Sequence, residues 1–113
     1  MDNNIKMNAL ALNIDDAIIE KLSMIYDPEI GLDIINLGLV YEVNLEENGN
    51  CEVVITFTGM GCECIESIPG EIEEVLVELP EIKTVHVKVV WSPAWKMTRI
   101  SRFGRISLGV SPN

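Results

Sequence analysis

Two cysteines, Cys62 and Cys64, stand one residue apart in the stretch TGMGCEC. Thiolates bind metal ions and act as nucleophiles, so this stretch is a candidate for metal or thiol chemistry. Cys62 follows two glycines at the predicted start of a helix, where free backbone amides and the helix dipole stabilise a thiolate. A small side chain buried at a helix start fits the same position, and the spacing alone leaves both interpretations open.

A closed metal site needs more ligands than this stretch supplies. Structural zinc takes four, and beyond Cys62 and Cys64 the chain offers one cysteine (Cys51), one histidine (His86) and carboxylates. Alternating sequence patterns place Cys51 on the core face of a strand and His86 on a solvent face. We therefore expect no complete metal cage within one chain, whereas a ligand shared between two chains or held transiently stays open.

Carboxylates and a threonine could surround Cys62 if the fold brings two loops together. Asp27 and Glu29 flank Pro28, and Thr58 lies four residues before Cys62. In the functional interpretation, the carboxylates help to bind a metal ion or to move a proton. In the structural interpretation, Asp27 and Glu29 are turn and helix-end residues, and Thr58 caps a helix.

The C-terminal tail is a second candidate surface. Residues 1–95 carry four basic and eighteen acidic side chains, a sum of −14, whereas residues 96–113 carry four basic and no acidic ones, a sum of +4. Tryptophan and arginine are enriched at interface hot spots, which favours a docking surface. Alternatively, the tryptophans cover the core and the arginines pair with a glutamate-rich helix of the same chain. The predicted partner-binding residues are Trp91, Trp95, Arg99, Arg102 and Arg105.

Hydrophobic periodicity predicts the elements that position these residues. Steps of three and four residues predict a helix that Asn13 caps and Pro28 ends, and a longer helix from about Cys62 that Pro80 ends. Pro69 predicts a kink in the longer helix, or a break followed by a second helix. Alternation predicts strands in LVYEVNLE, CEVVITFT and IKTVHVKVVW, the first two joined by a hairpin at ENGN.

The order helix, strand, strand, helix, strand and tail predicts an α+β fold, a two-layer α/β sandwich with a three-stranded mixed sheet. We expect one domain over residues 13–109, because 113 residues supply one modest core, with loosely ordered termini at 1–12 and 110–113. The exposed edges and uncovered face of such a sheet favour a homodimer.

Charge and hydropathy exclude several classes of protein. A net charge of −10 repels phosphates, so nucleic acid is not an expected partner. Since no apolar run reaches the roughly 18 residues that span a bilayer, and the start MDNNIKMNAL lacks a signal-peptide pattern, we expect no membrane association. Three cysteines, an odd and small number, fit reduced thiols in a cytoplasmic protein.

Three stretches of the chain together resemble one known family. The stretches are DPEIGLDIINLGLVY, TGMGC and WSPAWKMTRISRFGRISLG. Their motifs, order and separations are similar to those of the SufT/PaaD family of iron-sulfur maturation factors, and the resemblance covers about residues 14–109.

The resemblance assigns family positions to individual residues. The family's Asp-Pro-Glu motif falls on residues 27–29, its threonine on Thr58 and its signature cysteine on Cys62. The chain departs from the family pattern at Glu63 and Ala94, where the family usually has prolines. Neither departure removes the thiol.

The resemblance implies an assembly or carrier factor rather than an enzyme, one that carries iron-sulfur clusters or iron, or helps to insert them, into recipient proteins. Cys62 is the implied contact to iron or to a transient cluster. The implied partners are the iron-sulfur assembly machinery and its client apoproteins. Two alternatives stay open: a thiol redox enzyme that uses Cys62 with Cys64, which matches no family position, and an interaction module that docks through the tail.

Overall fold

A four-stranded mixed sheet with helices packed on one face makes up the residues that the computed structural model describes, 5–28, 30–58 and 64–109. Neighbouring strands follow chain order: β1 is parallel to β2, β2 antiparallel to β3, and β3 parallel to β4. The α+β class is confirmed, but the predicted count of three strands is wrong. The missed strand has two residues, too few for alternation to be visible. The strands are β1 (Lys6–Met7), β2 (Val40–Leu45), β3 (Asn50–Ile55) and β4 (Thr84–Val89).

The helices are α1 (Ala9–Leu12), α2 (Asp15–Leu22), α3 (Ile34–Leu37), α4 (Cys64–Leu76) and α5 (Arg102–Ser107), with a 3-10 turn at Met97–Arg99. Side chains cap the starts of α1, α3 and α5. The predicted cap at Asn13 is wrong, because Asn13 closes α1 and no side chain caps α2. The predicted end at Pro28 is also wrong, since α2 stops at Leu22 and Tyr26 then bridges to Asp33.

Helix α4 runs unbroken through Pro69, so the predicted break into two helices is wrong. Proline removes one backbone hydrogen bond and crowds the preceding turn. Burial of the apolar stripe offsets this cost, because Ile68, Ile72 and Leu76 are each at most 1% exposed.

The predicted core face is buried along β3, where Val54 of the other face is buried as well, and alternation fails along β2. On β3 and just beyond it, the predicted core face of Cys51, Val53, Ile55 and Phe57 is buried, as predicted. On β2 the register shifts between Val40 and Glu42, so Tyr41 leaves the predicted core face. A bulge of this kind inserts one residue and reverses the faces on either side of it, which no periodic pattern reveals.

The topology collects several loops at one edge of the sheet. Because β3 and β4 are parallel, their carboxyl ends meet there, and antiparallel β2 begins at the same edge. We call this the carboxyl edge and the other the opposite edge, where the hairpin joins β2 to β3. No helix among the described residues is both long and apolar enough to cross a membrane.

Candidate functional site

The carboxyl edge holds the segments that the sequence predicts to carry chemistry. The chain leaves β3 there toward residues 59–63, and it leaves β4 there toward Trp91 and the tail. Backbone hydrogen bonds extend the sheet past its strands: the Thr56 amide donates to the Leu39 carbonyl at 2.9 Å, and the Val90 amide to the Ile55 carbonyl at 2.9 Å. Cys62 itself lies outside the described residues.

Thr56 and Thr58 lie between β3 and residues 59–63. Thr58 is half-buried. Thr56 is 0% exposed, and its hydroxyl has no hydrogen-bond partner in the described structure. A buried hydroxyl without a partner costs about 1 to 3 kcal/mol, so such groups are rare away from sites that use them. Sequence reasoning singled out Thr58, which falls on a family position, but it could not find the unpaired hydroxyl of Thr56, because no pattern in the sequence reports a missing partner.

Asp27 is 1% exposed and organises a tight turn. One carboxylate oxygen, Oδ1, accepts from the Ile30 amide at 3.1 Å, and the Asp27 carbonyl accepts from the Gly31 amide at 2.8 Å. Gly31 adopts a φ of +83°, the left-handed conformation that such a turn requires. These contacts fit the structural interpretation of Asp27 as a turn residue. Glu29, the other predicted carboxylate of this loop, lies outside the described residues.

Asp33, which follows the Asp27 turn, is linked to the C-terminal tail through Asn36. Asp33 caps α3, since its Oδ2 accepts from the Asn36 amide at 3.0 Å, while its Oδ1 accepts from Asn36 Nδ2 at 2.6 Å. Asn36 Oδ1 in turn accepts from the Ser101 hydroxyl at 2.6 Å. Ser101 caps α5 by accepting from the Gly104 amide at 3.0 Å. Sequence reasoning missed Asn36 and Ser101, although the pair Asp33 and Asn36 has the spacing of a helix cap.

Hydrogen bonds from aromatic side chains anchor the start of the tail at the carboxyl edge. Trp95 Nε1 donates to the Leu37 carbonyl at 2.7 Å, and the Tyr41 hydroxyl donates to the Pro93 carbonyl at 2.7 Å. Trp91 is 45% exposed, with its ring centroid 6.0 Å from that of the buried Phe57. Trp95 therefore anchors the tail, and Trp91 combines a core contact with an exposed face.

Arg99 is bound tightly within the chain. Its Nε donates to the Gly38 carbonyl at 2.7 Å, and its guanidinium carbon lies 4.3 Å from the centre of the Tyr41 ring, a cation–π contact. Gly38 has a φ of +74°, and a Cβ there would lie 2.5 Å from the Arg99 carbonyl oxygen. Only glycine fits this approach, so Gly38 and Arg99 together fix the tail in place.

The remaining arginines lie on α5. Arg102 is exposed and Arg105 half-buried, and Arg105 Nη2 donates to the Met97 carbonyl at 3.4 Å. Neither Arg99 nor Arg102 pairs with a glutamate of α4 among the described residues, where the ion pair joins Lys21 Nζ to Glu78 Oε1 at 2.7 Å. The predicted intramolecular pairing is therefore wrong for these two arginines.

Cys51 and His86 are placed as the sequence predicts. Cys51 is 2% exposed at the start of β3, and burial raises the pKa of its thiol from 9.0 to about 11, which keeps the thiol protonated and unreactive at neutral pH. His86 is exposed on β4. No group of three or more histidine, cysteine or acidic side chains that could hold a metal ion occurs among the described residues.

The fold is that of a small α+β domain with its candidate site at the carboxyl edge. Comparisons with known proteins identify its family. The model of the family described as "Iron-sulfur cluster assembly protein" matches residues 15–89. The Fe-S protein maturation auxiliary factor SufT of Staphylococcus aureus (strain USA300) is 49% identical, over 78% of this chain and 100% of that protein. The Fe-S protein maturation auxiliary factor YitW of Bacillus subtilis (strain 168) is 40% identical, over 86% of this chain and 95% of that protein.

A solved structure shows the same fold. A domain of unknown function, DUF59, from Bacillus anthracis has a TM-score of 0.83 and 38% identity, and the similarity covers 92% of this chain and 100% of that one. The chain belongs to the iron-sulfur cluster assembly protein family and is SufT-like. The family resemblance inferred from the sequence is confirmed.

Proposed function

We propose that this chain is a cytoplasmic accessory factor in iron-sulfur cluster assembly, which carries clusters or iron, or helps to insert them, into recipient proteins through Cys62. The observation that carries the proposal is the family match over residues 15–89, supported by two relatives named as Fe-S protein maturation auxiliary factors. Its partners are the assembly machinery and client apoproteins.

The position of Cys62 in the chain supports its role as the functional thiol. In the sequence it lies two residues before Cys64, the first residue of α4. Free backbone amides and the helix dipole at the start of a helix stabilise a thiolate, the form of the thiol that iron requires. Cys51 is unsuitable because its thiol is buried and its pKa is raised. One functional thiol per chain suits a cluster or iron that is passed on rather than stored.

The residues around the carboxyl edge have supporting roles in this proposal. The family motifs imply that Cys62 is surrounded by Asp27, Glu29 and Thr58. Among the tail residues, exposed Trp91 and Arg102 and half-buried Arg105 offer contacts to a partner. Trp95 and Arg99 hold that surface in position through their bonds to the carbonyls of Leu37 and Gly38.

Activity of a client iron-sulfur enzyme in a strain that lacks this chain tests the proposal. Wild type and Cys51→Ala are expected to restore the activity, whereas Cys62→Ala is not. Equal restoration by Cys62→Ala and wild type would contradict the thiol role.

The same assay with Cys64→Ser separates this proposal from a thiol redox enzyme. Insertion through Cys62 alone predicts that Cys64→Ser restores client activity. A redox pair predicts that it fails and that mild oxidation of the wild type gives a reversible disulfide between Cys62 and Cys64, detectable by mass spectrometry.

A further inference from the structure

Helix α5 presents an apolar face to solvent. Phe103 is 65% exposed and Ile106 is 58% exposed, and one helical turn separates them. Met97 is 53% exposed and lies in the preceding 3-10 turn. Its carbonyl accepts the hydrogen bond from Arg105. Exposed apolar side chains grouped in this way mark interaction surfaces. We call Met97, Arg102, Phe103 and Ile106 the C-terminal patch.

The packing of α5 fixes this face outward. Gly104 is the buried residue of α5, and a Cβ there would lie 2.8 Å from Ile100 Cγ2 and 3.1 Å from Leu32 Cδ1. Helical geometry then places Arg102 and Ile106 nearly opposite Gly104 and Phe103 on the flank, about 100° around the helix axis, and Phe103 is exposed there. The apolar face therefore cannot turn inward without breaking the α5 packing and its Ser101 cap.

Charge indicates what could cover the C-terminal patch. The tail is the basic part of the chain, with a sum of +4 over residues 96–113 against −14 over residues 1–95. Arg102 is exposed and makes no ion pair among the described residues. A surface that is both basic and apolar fits one that is acidic with an apolar centre.

Helix α4 offers such a complement. Its exposed stripe carries Glu66, Glu73 and Glu74, and the turn after it adds Val77, which is 46% exposed. None of these glutamates forms an ion pair among the described residues, where Lys21 and Glu78 supply the pair. We call Glu66, Glu73, Glu74 and Val77 the acidic face.

We propose that the C-terminal patch of one copy of this chain docks on the acidic face of a second copy. Among the residues that the structure describes, no ion pair joins the two surfaces within one chain, and Phe103 and Val77 are both exposed, so both surfaces stay available between chains. A two-fold axis repeats the contact and closes a dimer, whereas repetition without closure gives open chains. The inference goes beyond the proposed function and does not depend on it.

Sedimentation velocity of the full chain over a concentration series tests the proposal. Wild type is expected to be dimeric at the high end of the series. Phe103→Asp and Val77→Asp each place a carboxylate in one half of the contact, and each is expected to weaken dimerisation roughly tenfold or more. Leu12→Asp is the control, because Leu12 is 54% exposed but lies on neither surface, and it is expected to dimerise like wild type.

A mixture of the two variants gives the more specific result. Phe103→Asp keeps an intact acidic face and Val77→Asp keeps an intact patch, so the mixture retains one good contact and is expected to form a heterodimer. Since both residues are exposed, the variants are expected to fold, which circular dichroism checks. A monomeric wild type overturns the proposal, and so does a Val77→Asp variant that dimerises normally, since the patch then pairs with another surface.

Discussion

Asn8 and Thr56 are polar residues near opposite edges of the same sheet. Both polar atoms of the Asn8 side chain are hydrogen-bonded, whereas the Thr56 hydroxyl is not. Asn8 is exposed, yet its Oδ1 accepts from the Ala11 amide at 3.0 Å and the Leu45 amide at 3.1 Å, and its Nδ2 donates to the Leu45 carbonyl at 2.9 Å. Thr56 is fully buried, and its hydroxyl has no partner in the described structure.

This difference distinguishes the carboxyl edge, which holds the candidate site, from the opposite edge. Water could satisfy Asn8, whereas it does not reach Thr56, so the arrangement is the reverse of what stability alone favours. Folded proteins depart from local rules mostly at sites that have another use. The carboxyl edge, with Thr56 six residues before Cys62 in the chain, therefore fits the proposed function better than the opposite edge, which holds the inert Cys51 thiol.

The largest effect is expected from Gly38→Ala, which tests how rigidly the tail is held on the carboxyl edge. The new Cβ clashes with the Arg99 carbonyl oxygen, and alanine at this position has to adopt an unfavourable positive φ. The free energy of unfolding is therefore expected to fall by about 2 to 5 kcal/mol. Denaturant unfolding measures this. Gly31→Ala is the matched control, because its φ is +83° with nothing within 4 Å of the new Cβ. Equal losses for both variants would show that Arg99 does not fix the tail.

Asn8→Ala tests the opposite edge. It removes the cap of α1 and both links to Leu45, so the free energy of unfolding is expected to fall by about 2 kcal/mol. Asn8→Asp keeps the accepting oxygen and loses only the donor to the Leu45 carbonyl, so it is expected to lose less. If Asn8→Ala were as stable as wild type in denaturant unfolding, the contrast between the edges would disappear.

The Cys51 thiol, at the opposite edge, makes the free energy of unfolding depend on pH. Its pKa in the folded state is about 11, above the ordinary 9.0, so the protein is expected to lose stability as pH rises from about 9 to 11, where only the unfolded chain ionises. The contribution is at most about 2 to 3 kcal/mol. Comparison with Cys51→Val separates the contribution of this thiol from those of lysine and tyrosine side chains, which titrate in the same pH range. Parallel stability curves for the two proteins across this range would argue against a buried neutral thiol.

The smallest effect is expected from Thr56→Val, which tests the carboxyl edge directly. Valine has nearly the shape of threonine without the hydroxyl, so removal of an unpaired buried group is expected to raise the free energy of unfolding by about 1 kcal/mol. Thr56→Ser, which keeps the hydroxyl and loses the methyl group, is expected to lower it. A less stable Thr56→Val would mean that the hydroxyl has a partner and that the two edges do not differ.

Local periodicity explains which parts of the fold could be predicted. The alternation that buries Cys51 and the stripe that buries Ile72 repeat at short spacing and are visible in the sequence. Strand β1 and helix α1 have two and four residues, too few for either period to appear. The bulge at Tyr41 was likewise not predictable, because it depends on pairing with β3.

The candidate site was predictable only in part, for a related reason. Motifs pointed to Cys62, Thr58 and the tail. The anchors of the tail are carbonyls, such as those of Leu37 and Gly38, and every residue type carries a carbonyl. No sequence pattern therefore distinguishes these acceptors, and the sequence left both partner contacts and contacts within the chain open for Trp95 and Arg99.

Anaerobic reconstitution with iron and sulfide, followed by visible absorption spectroscopy, tests the central claim that Cys62 is the thiol that contacts iron. Wild type and Cys51→Ala are expected to give the charge-transfer absorption of thiolate-bound iron, and Cys62→Ala is expected to lose it. An absorption spectrum of Cys62→Ala equal to that of wild type would contradict the claim.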